Sequence, residues 1–347
     1  MARIAPRTSV APEKFKNLLP QLKPTIYHDP AVNKTPNNIR TIAWSPLGTY
    51  IATGCLDKTL RVCTYFVPIS LFGDLRCSLR NADKPNVRQS TELKGHTASI
   101  EKVAFNPAKE LELCSVSSDG VVRFWDVKSK QVLNEVKGLG ETFTLAWAPR
   151  GECVIEDMLF VISPTQSTPI SSHQQTVQTN DIAFCWSGER IYATTGDGKI
   201  RILTFPEFEP VYRFDYKEGP DAEFKLTGHT SSCISVELHP SSRYLVTGGT
   251  DSLIAFWETA EWNCTRTATR MIGPVRTLSF SWDGLYITGG SEEGSGLDIF
   301  NAETGEFLYS YKTTTASPVV AWAPNRYALA YIDSGSLRVI GASTGGK

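Results

Sequence analysis

Two short constellations have the residue types of a nucleophilic triad. His96 is followed by Ser115, Asp119 and Trp125, and His229 by Thr247, Asp251 and Trp257. An imidazole can take a hydroxyl proton while a carboxylate orients it, so hydrolase-type chemistry is the first to weigh. The pattern argues against it. In both sets the hydroxyl lies four residues before the aspartate and the tryptophan six after it. An active site has no reason to recur with these offsets, and indole offers no reaction chemistry here. No G-x-S-x-G elbow lies near either set. The same residue types do suit a hydrogen-bonded tetrad: imidazole presents two nitrogens, carboxylate accepts, hydroxyl does both and indole N–H donates. A buried network of that kind rigidifies its surroundings when every member is satisfied. The two sets are therefore read as structural fasteners. Three further histidines, His28, His173 and His239, stand alone in sequence.

The elements that position such tetrads follow from a repeat. IAWSP, VAFNP, LAWAP, IAFCW, VELHP, LSFSW and VAWAP align on Trp44, Phe105, Trp147, Phe184, Leu238, Phe280 and Trp322. The spacings are 61, 42, 37, 54, 42 and 42 residues, around the roughly 40–45 residues of a four-stranded propeller blade. An apolar residue sits two before each aligned position, and in four units another sits five before, at Ile39, Ile100, Cys233 and Val275. That step of three breaks strict alternation and predicts a β-bulge. A Pro- or Gly-containing turn, a second strand, a tight turn and a third strand follow.

These units predict an all-β fold: a single seven-bladed propeller over residues 22–343, with loop insertions near 68–92 and 215–225 and a degenerate third blade at 151–178. Residues 1–21 are expected to be a basic, disordered tail and 344–347 a C-terminal tail. Because the chain ends soon after the third strand of the last unit, a strand from LKPTIYHD (22–29) is expected to complete the ring and remove an open edge. A three-stranded last blade with a free tail is the alternative.

Composition bounds the function. Hydrophobic residues make up 41% and charged residues 20% of 347 residues, enough apolar material for a core. No apolar run approaches the roughly 18 residues of a membrane span, and the first residues do not read as a secretory signal. The first 40 residues hold seven basic against two acidic side chains, so a net charge of −1 leaves the remainder near −6. None of the eight cysteines forms a C-x-x-C pair, which argues against a zinc ribbon and for a reducing compartment. The glycines around Asp197 read as a hairpin turn, and a Walker A loop is absent. No catalytic, metal or cofactor residues are assigned.

The tetrad spacing is that of the WD-repeat family, and the chain resembles it. Longer stretches carry a narrower resemblance: SCISVELHPSSRYLVTGGTDSLIAFWE (232–258), GPVRTLSFSWDG (273–284), ETFTLAWAPRG (141–151) and ILTFPEFEPV (202–211). They are similar to the WD-repeat subunit 3 family of the THO complex, within the TREX transcription–export assembly. That resemblance implies a nuclear, non-catalytic scaffold coupling transcription to mRNA packaging and export. Its implied partners are other THO subunits, above all the large helical one. A DEAD-box RNA helicase of the same assembly and mRNA would be contacted indirectly. The rival is a propeller that binds peptides or histone tails, such as a ubiquitin-ligase substrate receptor or a chromatin subunit. It would use the channel mouth, where residues four before each aligned position should gather: Arg40, Glu101, Phe143, Asn180 and Arg276, with Ile234 and Pro318. The plainer expectation is that these only line a wet channel. Direct RNA binding would need a basic face, which the charge of the repeat region disfavours.

Overall fold

The computed structural model describes residues 9–27, 39–65, 90–151, 153–155, 158–175, 177–211 and 223–341. Strand follows strand along almost all of them. The described residues form seven four-stranded antiparallel sheets, each built mainly of consecutive strands. The first strands are Ile39–Trp44, Ile100–Phe105, Leu145–Trp147, Thr179–Phe184, Cys233–Leu238, Val275–Phe280 and Val320–Trp322. Each ends on the aligned residue of the repeat. Each also touches the first strand of the next sheet, and the seventh returns to the first, so the sheets form a closed β-propeller ring.

The bulge expected from the three-residue step is present. In sheets one, two, four, five and six the register of the first strand shifts immediately after its first residue. The extra residue there is Arg40, Glu101, Asn180, Ile234 or Arg276, and the local twist it brings re-aims that residue. Second strands such as Tyr50–Cys55, Glu112–Ser117 and Tyr244–Gly249 are almost wholly buried. They lie inside sheets packed on both faces. The core is divided into clusters at the seams between neighbouring sheets; Leu60, Ile100, Val103, Leu113 and Trp125 fill the seam between sheets one and two. Each such side chain contributes about 1.5–3 kcal/mol on burial.

The seventh sheet is closed from the other end of the chain. Its own strands are Val320–Trp322, Ala328–Asp333 and Ser336–Gly341. Thr25–Tyr27 pairs antiparallel with the last of these, Thr25 opposite Val339 and Tyr27 opposite Leu337. This is the strand expected within residues 22–29, and it covers the edge of Ser336–Gly341.

Three expectations need correction. Disorder over residues 1–21 does not hold from residue 9 onward: Pro12–Leu18 is an α-helix and Leu19–Gln21 a 3₁₀ turn. Charge composition missed the reason, which is that Phe15 and Leu19 are fully buried against sheets six and seven. The insertion near 68–92 ends earlier, since Ser90–Leu93 is the fourth strand of sheet one; its residues up to 89 lie outside the described set. Likewise Lys225 already belongs to the strand Lys225–Thr227, and most of the 215–225 insertion, with tail 344–347, lies outside the described residues. The third unit (151–178) keeps a four-stranded sheet, with short strands at Cys153–Ile155, Met158–Ile162 and Ser171–Gln174.

Candidate functional site

The two histidine–tryptophan sets lie within sheets two and five, and they differ. In sheet five the chain of bonds is complete. Trp257 Nε1 donates to Thr247 Oγ1 at 2.9 Å, and Thr247 Oγ1 meets His229 Nε2 at 2.8 Å. His229 Nδ1 lies 3.1 Å from both carboxylate oxygens of Asp251. One neutral tautomer satisfies everything: Nδ1–H donates to Asp251 and Nε2 accepts from Thr247. Asp251 also accepts from the backbone N–H of Thr230 and Leu253, so the network fixes the turns at that end of the sheet. A glycine must precede the histidine because the indole lies over it: a Cβ on Gly228 would sit 2.7 Å from Trp257 Cη2.

In sheet two only half of the chain forms. Trp125 Nε1 donates to Ser115 Oγ at 2.8 Å and Ser115 Oγ meets His96 Nε2 at 2.7 Å. Asp119 does not reach His96, contrary to the expected tetrad. It accepts instead from Ser117, Val121 N–H and Thr97 Oγ1, and His96 Nδ1 is buried without a partner. The physical reason is one residue. Ser117 occupies the place of Gly249, whose absent Cβ leaves room for the His229–Asp251 bond, and the serine hydroxyl captures the aspartate. Burial first, and the Arg123 charge second, push the His96 pKa down to about 4.

This yields a test. Ser117→Gly is expected to free Asp119 for His96 and raise the histidine pKa from about 4 toward its ordinary value, followed by NMR titration. A histidine with a depressed native pKa costs stability as pH falls from about 6.5 to 4, so the variant also resists acid better in that window. A glycine in a strand costs about 0.5–1 kcal/mol, leaving stability at pH 7 nearly unchanged. An unmoved His96 titration would refute the role given to Ser117.

Both hydroxyls are fully buried and already committed, so no substrate carbonyl reaches them. The sets hold strands together. Tryptophans at the aligned positions, which the repeat reading left without a role, do so between sheets. Trp44 Nε1 donates to Ala321 O at 2.9 Å, Trp147 Nε1 to Ala104 O at 3.0 Å and Trp322 Nε1 to Thr288 Oγ1 at 3.1 Å, each crossing to the preceding sheet.

The ring encloses a channel of about 820 Å³. All seven residues expected at its mouth line it. They are not equally available. Asn180 donates its amide to Cys233 O at 2.7 Å and Ser232 Oγ at 3.0 Å, so it ties sheet four to sheet five rather than facing a ligand. Glu101 accepts from Ser99 Oγ and lies 3.7 Å from Arg40 Nε, with little of its side chain exposed. Arg40 and Arg276 are each 48% exposed, the latter 3.2 Å from Glu292; exposed pairs of this kind are worth little and exchange readily. Phe143 is 45% exposed. The mouth thus offers two arginines and one phenyl ring.

Deeper in the channel lies a hub that isolated sequence positions did not reveal. Asp181 pairs with Lys102 at 3.2 Å and accepts from Thr144 Oγ1 at 2.9 Å and Val236 N–H at 3.2 Å. One carboxylate of sheet four thereby joins sheets two, three and five. Beside it, Glu237 lines the channel, half-buried within the ring and so cut off from most of the bulk solvent. That enclosure first, and the Asp181 charge second, push its carboxyl up to about 8. A carboxyl raised in the fold destabilises it as pH rises from about 4.5 to about 8. Glu237→Gln is therefore expected to be neutral at pH 4.5 and stabilising by about 1–3 kcal/mol at pH 8, well under the full shift because channel water screens it. Urea unfolding at both pH values checks this; equal effects at both would sink it.

The chain carries WD40 repeats: the pattern described as "WD domain, G-beta repeat" matches residues 31–63, 87–126 and 222–258. The last two spans contain the Ser115–Asp119–Trp125 and His229–Trp257 sets. THO complex subunit 3 of Arabidopsis thaliana is 29% identical over 297 residues, 84% of this chain and 85% of that protein. WD repeat-containing protein AAC3 of Dictyostelium discoideum is 29% identical over 253 residues, 70% of this chain but 51% of that one. Among solved structures, the Cps50 (Swd1) β-propeller domain of Myceliophteria thermophila superposes with a TM-score of 0.72 at 14% identity, over 89% of this chain and 99% of that one. At that identity the match speaks to the fold alone.

Proposed function

We propose that this WD-repeat propeller is a non-catalytic scaffold subunit of a nuclear THO-type assembly, coupling transcription to mRNA packaging and export through protein contacts. One observation carries the reading: the similarity to THO complex subunit 3 runs over 84% of this chain and 85% of the relative, at 29% identity. Two features agree with it. The buried hydroxyl–imidazole sets are fasteners, and the repeat region is acidic overall. In this reading the large helical THO subunit is the direct partner, while the DEAD-box helicase and mRNA are reached indirectly. The test is purification of the tagged protein from nuclease-treated nuclear extract with mass spectrometry. THO subunits are expected without RNA. Recovery of a cullin adaptor or chromatin modifier in their place would overturn the assignment.

A second reading has its own observation, the half-exposed Arg40, Arg276 and Phe143 around the channel mouth. Together they suit a peptide with an acidic group and an apolar one. Arg276→Glu is expected to leave the melting temperature within about 1 °C, since surface changes fall within about 0.5 kcal/mol. It should weaken partner capture about tenfold if the mouth is the docking site. Unchanged capture removes this reading.

A further inference from the structure

The seam between sheets six and seven is filled by a segment from the far end of the chain. Phe15 of the helix Pro12–Leu18 stacks on Tyr286, with ring centroids 4.0 Å apart and planes 11° from parallel. It also meets Tyr327 at 5.1 Å and Trp322 at 6.2 Å. One turn on, Leu19 is buried in the same cluster, and Val10 and Leu22 pack at its two ends. The backbone is held as well. Val10 N–H donates to Tyr327 Oη at 3.0 Å, Tyr286 O–H donates to Val10 O, and Tyr311 O–H donates to Leu22 O at 3.3 Å.

The walls of this groove are set by the propeller itself. Tyr327 O–H donates to Asp283, which leaves the Tyr327 oxygen aimed to accept an N–H. Asp283 is in turn held by Ser281 Oγ and Leu285 N–H. The occupant, by contrast, has little order of its own. Its helix is seven residues long with no side-chain N-cap bond, far below the length at which a helix is stable alone. The groove imposes the helix, which is how amphipathic segments dock into grooves on other proteins. Nor is the fit complete: a void of about 10 Å³ remains among Phe15, Leu19, Leu22, Trp322 and Tyr327. The outward face, with Glu13, Lys14, Lys16 and Asn17, is exposed and makes no demand on the groove.

We infer that the seam between sheets six and seven is a peptide-recognition site occupied in cis. The partner it fits is a short amphipathic helical segment of another protein. That segment carries an apolar residue in extended backbone, an aromatic residue five positions later and a leucine four after that, matching Val10, Phe15 and Leu19. Its specificity is in the spacing and the aromatic stack, because the outward positions are free to vary. Phe15 competes at high effective concentration, being tethered through residues 22–24 to the strand Thr25–Tyr27. A partner segment therefore binds by displacing it.

The test uses a chain that folds intact. A protease site is placed within residues 28–38 and cut after folding, and a fluorescent peptide of residues 9–27 is added. Exchange of the peptide into the cut protein is expected. The peptide carrying Phe15→Ala and Leu19→Ala should compete at least about tenfold less well, as for the loss of a buried aromatic anchor. A peptide that keeps Val10, Phe15, Leu19 and Leu22 and the strand 25–27 but varies the outward positions should compete like the native one. No exchange, or equal competition by the alanine peptide, overturns the inference. So does a dimer of the uncut chain in which residues 9–27 are swapped, since the groove would then serve self-association. Full-length protein with Phe15→Ala and Leu19→Ala provides the second arm: it should bind the labelled peptide where the wild-type chain does not, and failure to do so while folded also overturns the inference.

Discussion

Trp257→Ala is expected to lower stability by about 3–5 kcal/mol, the cost of truncating a large buried aromatic side chain. The indole is 3% exposed and packs with Ile200, Leu226, Val236 and Leu245 across the seam between sheets four and five. Its N–H anchors the run through Thr247 and His229 to Asp251. At about 2.1 cal/mol/K per residue of unfolding entropy, a chain of 347 residues would lose about 4–7 °C in Tm. Trp257→Phe separates the two contributions. It keeps most of the packing and removes only the donor, so a loss of about 1–2 kcal/mol is expected. The same pair of changes at Trp125 should show a smaller donor effect, because His96 lacks its aspartate and the network there is already broken. Calorimetry of the four variants checks this. Equal donor effects at the two sites would mean that the complete and incomplete sets do not differ energetically.

Removing residues 1–27 is expected to cost at least about 5 kcal/mol, or at least about 7 °C in Tm. Three losses combine. Phe15 and Leu19 leave a cleft lined by Tyr286, Trp322 and Tyr327. The backbone of Ser336–Gly341 loses its partner Thr25–Tyr27. Tyr27 leaves a second cluster, where it packs with Ile42, Val319 and Val339. That last contact bridges sheets one and seven, so the ring is weakened at the junction where its two chain ends meet. The exposed strand edge also invites pairing between molecules, and concentration-dependent association should accompany the loss. A truncated protein that melts like the full chain and stays monomeric would remove the closing role from this segment.

Much of this architecture was legible along the chain, for a definite reason. Strand faces alternate and bulges insert one residue, so both leave periodic marks in the sequence. The aligned residues from Trp44 to Trp322 therefore located all the first strands, and the three-residue step before them located four of the five bulges; the one after Thr179 carries no apolar residue to mark it. The Gly–His pair and the offsets from Asp to Trp were readable because the indole needs a residue without Cβ beneath it. The helix at Pro12–Leu18 was not. It has seven residues, a basic outward face and a single fully buried side chain within it, and nothing local distinguishes it from a solvated tail.

Composition and spacing were enough to decide that this chain builds repeated four-stranded sheets and that hydroxyl–imidazole–indole sets recur within them. Those features depend on neighbours within about 40 residues of each other. Only the folded ring decided the rest. Asp181 became a hub because Lys102, Thr144 and Val236 of three other sheets converge on one carboxylate. Ser117 broke the second tetrad because one hydroxyl stands where two side chains must meet. Phe15 became core because Tyr286, more than 250 residues away in the sequence, offers it a ring to stack on. Contacts of that range leave no periodic mark, since each depends on closure bringing the two ends of the chain to one seam.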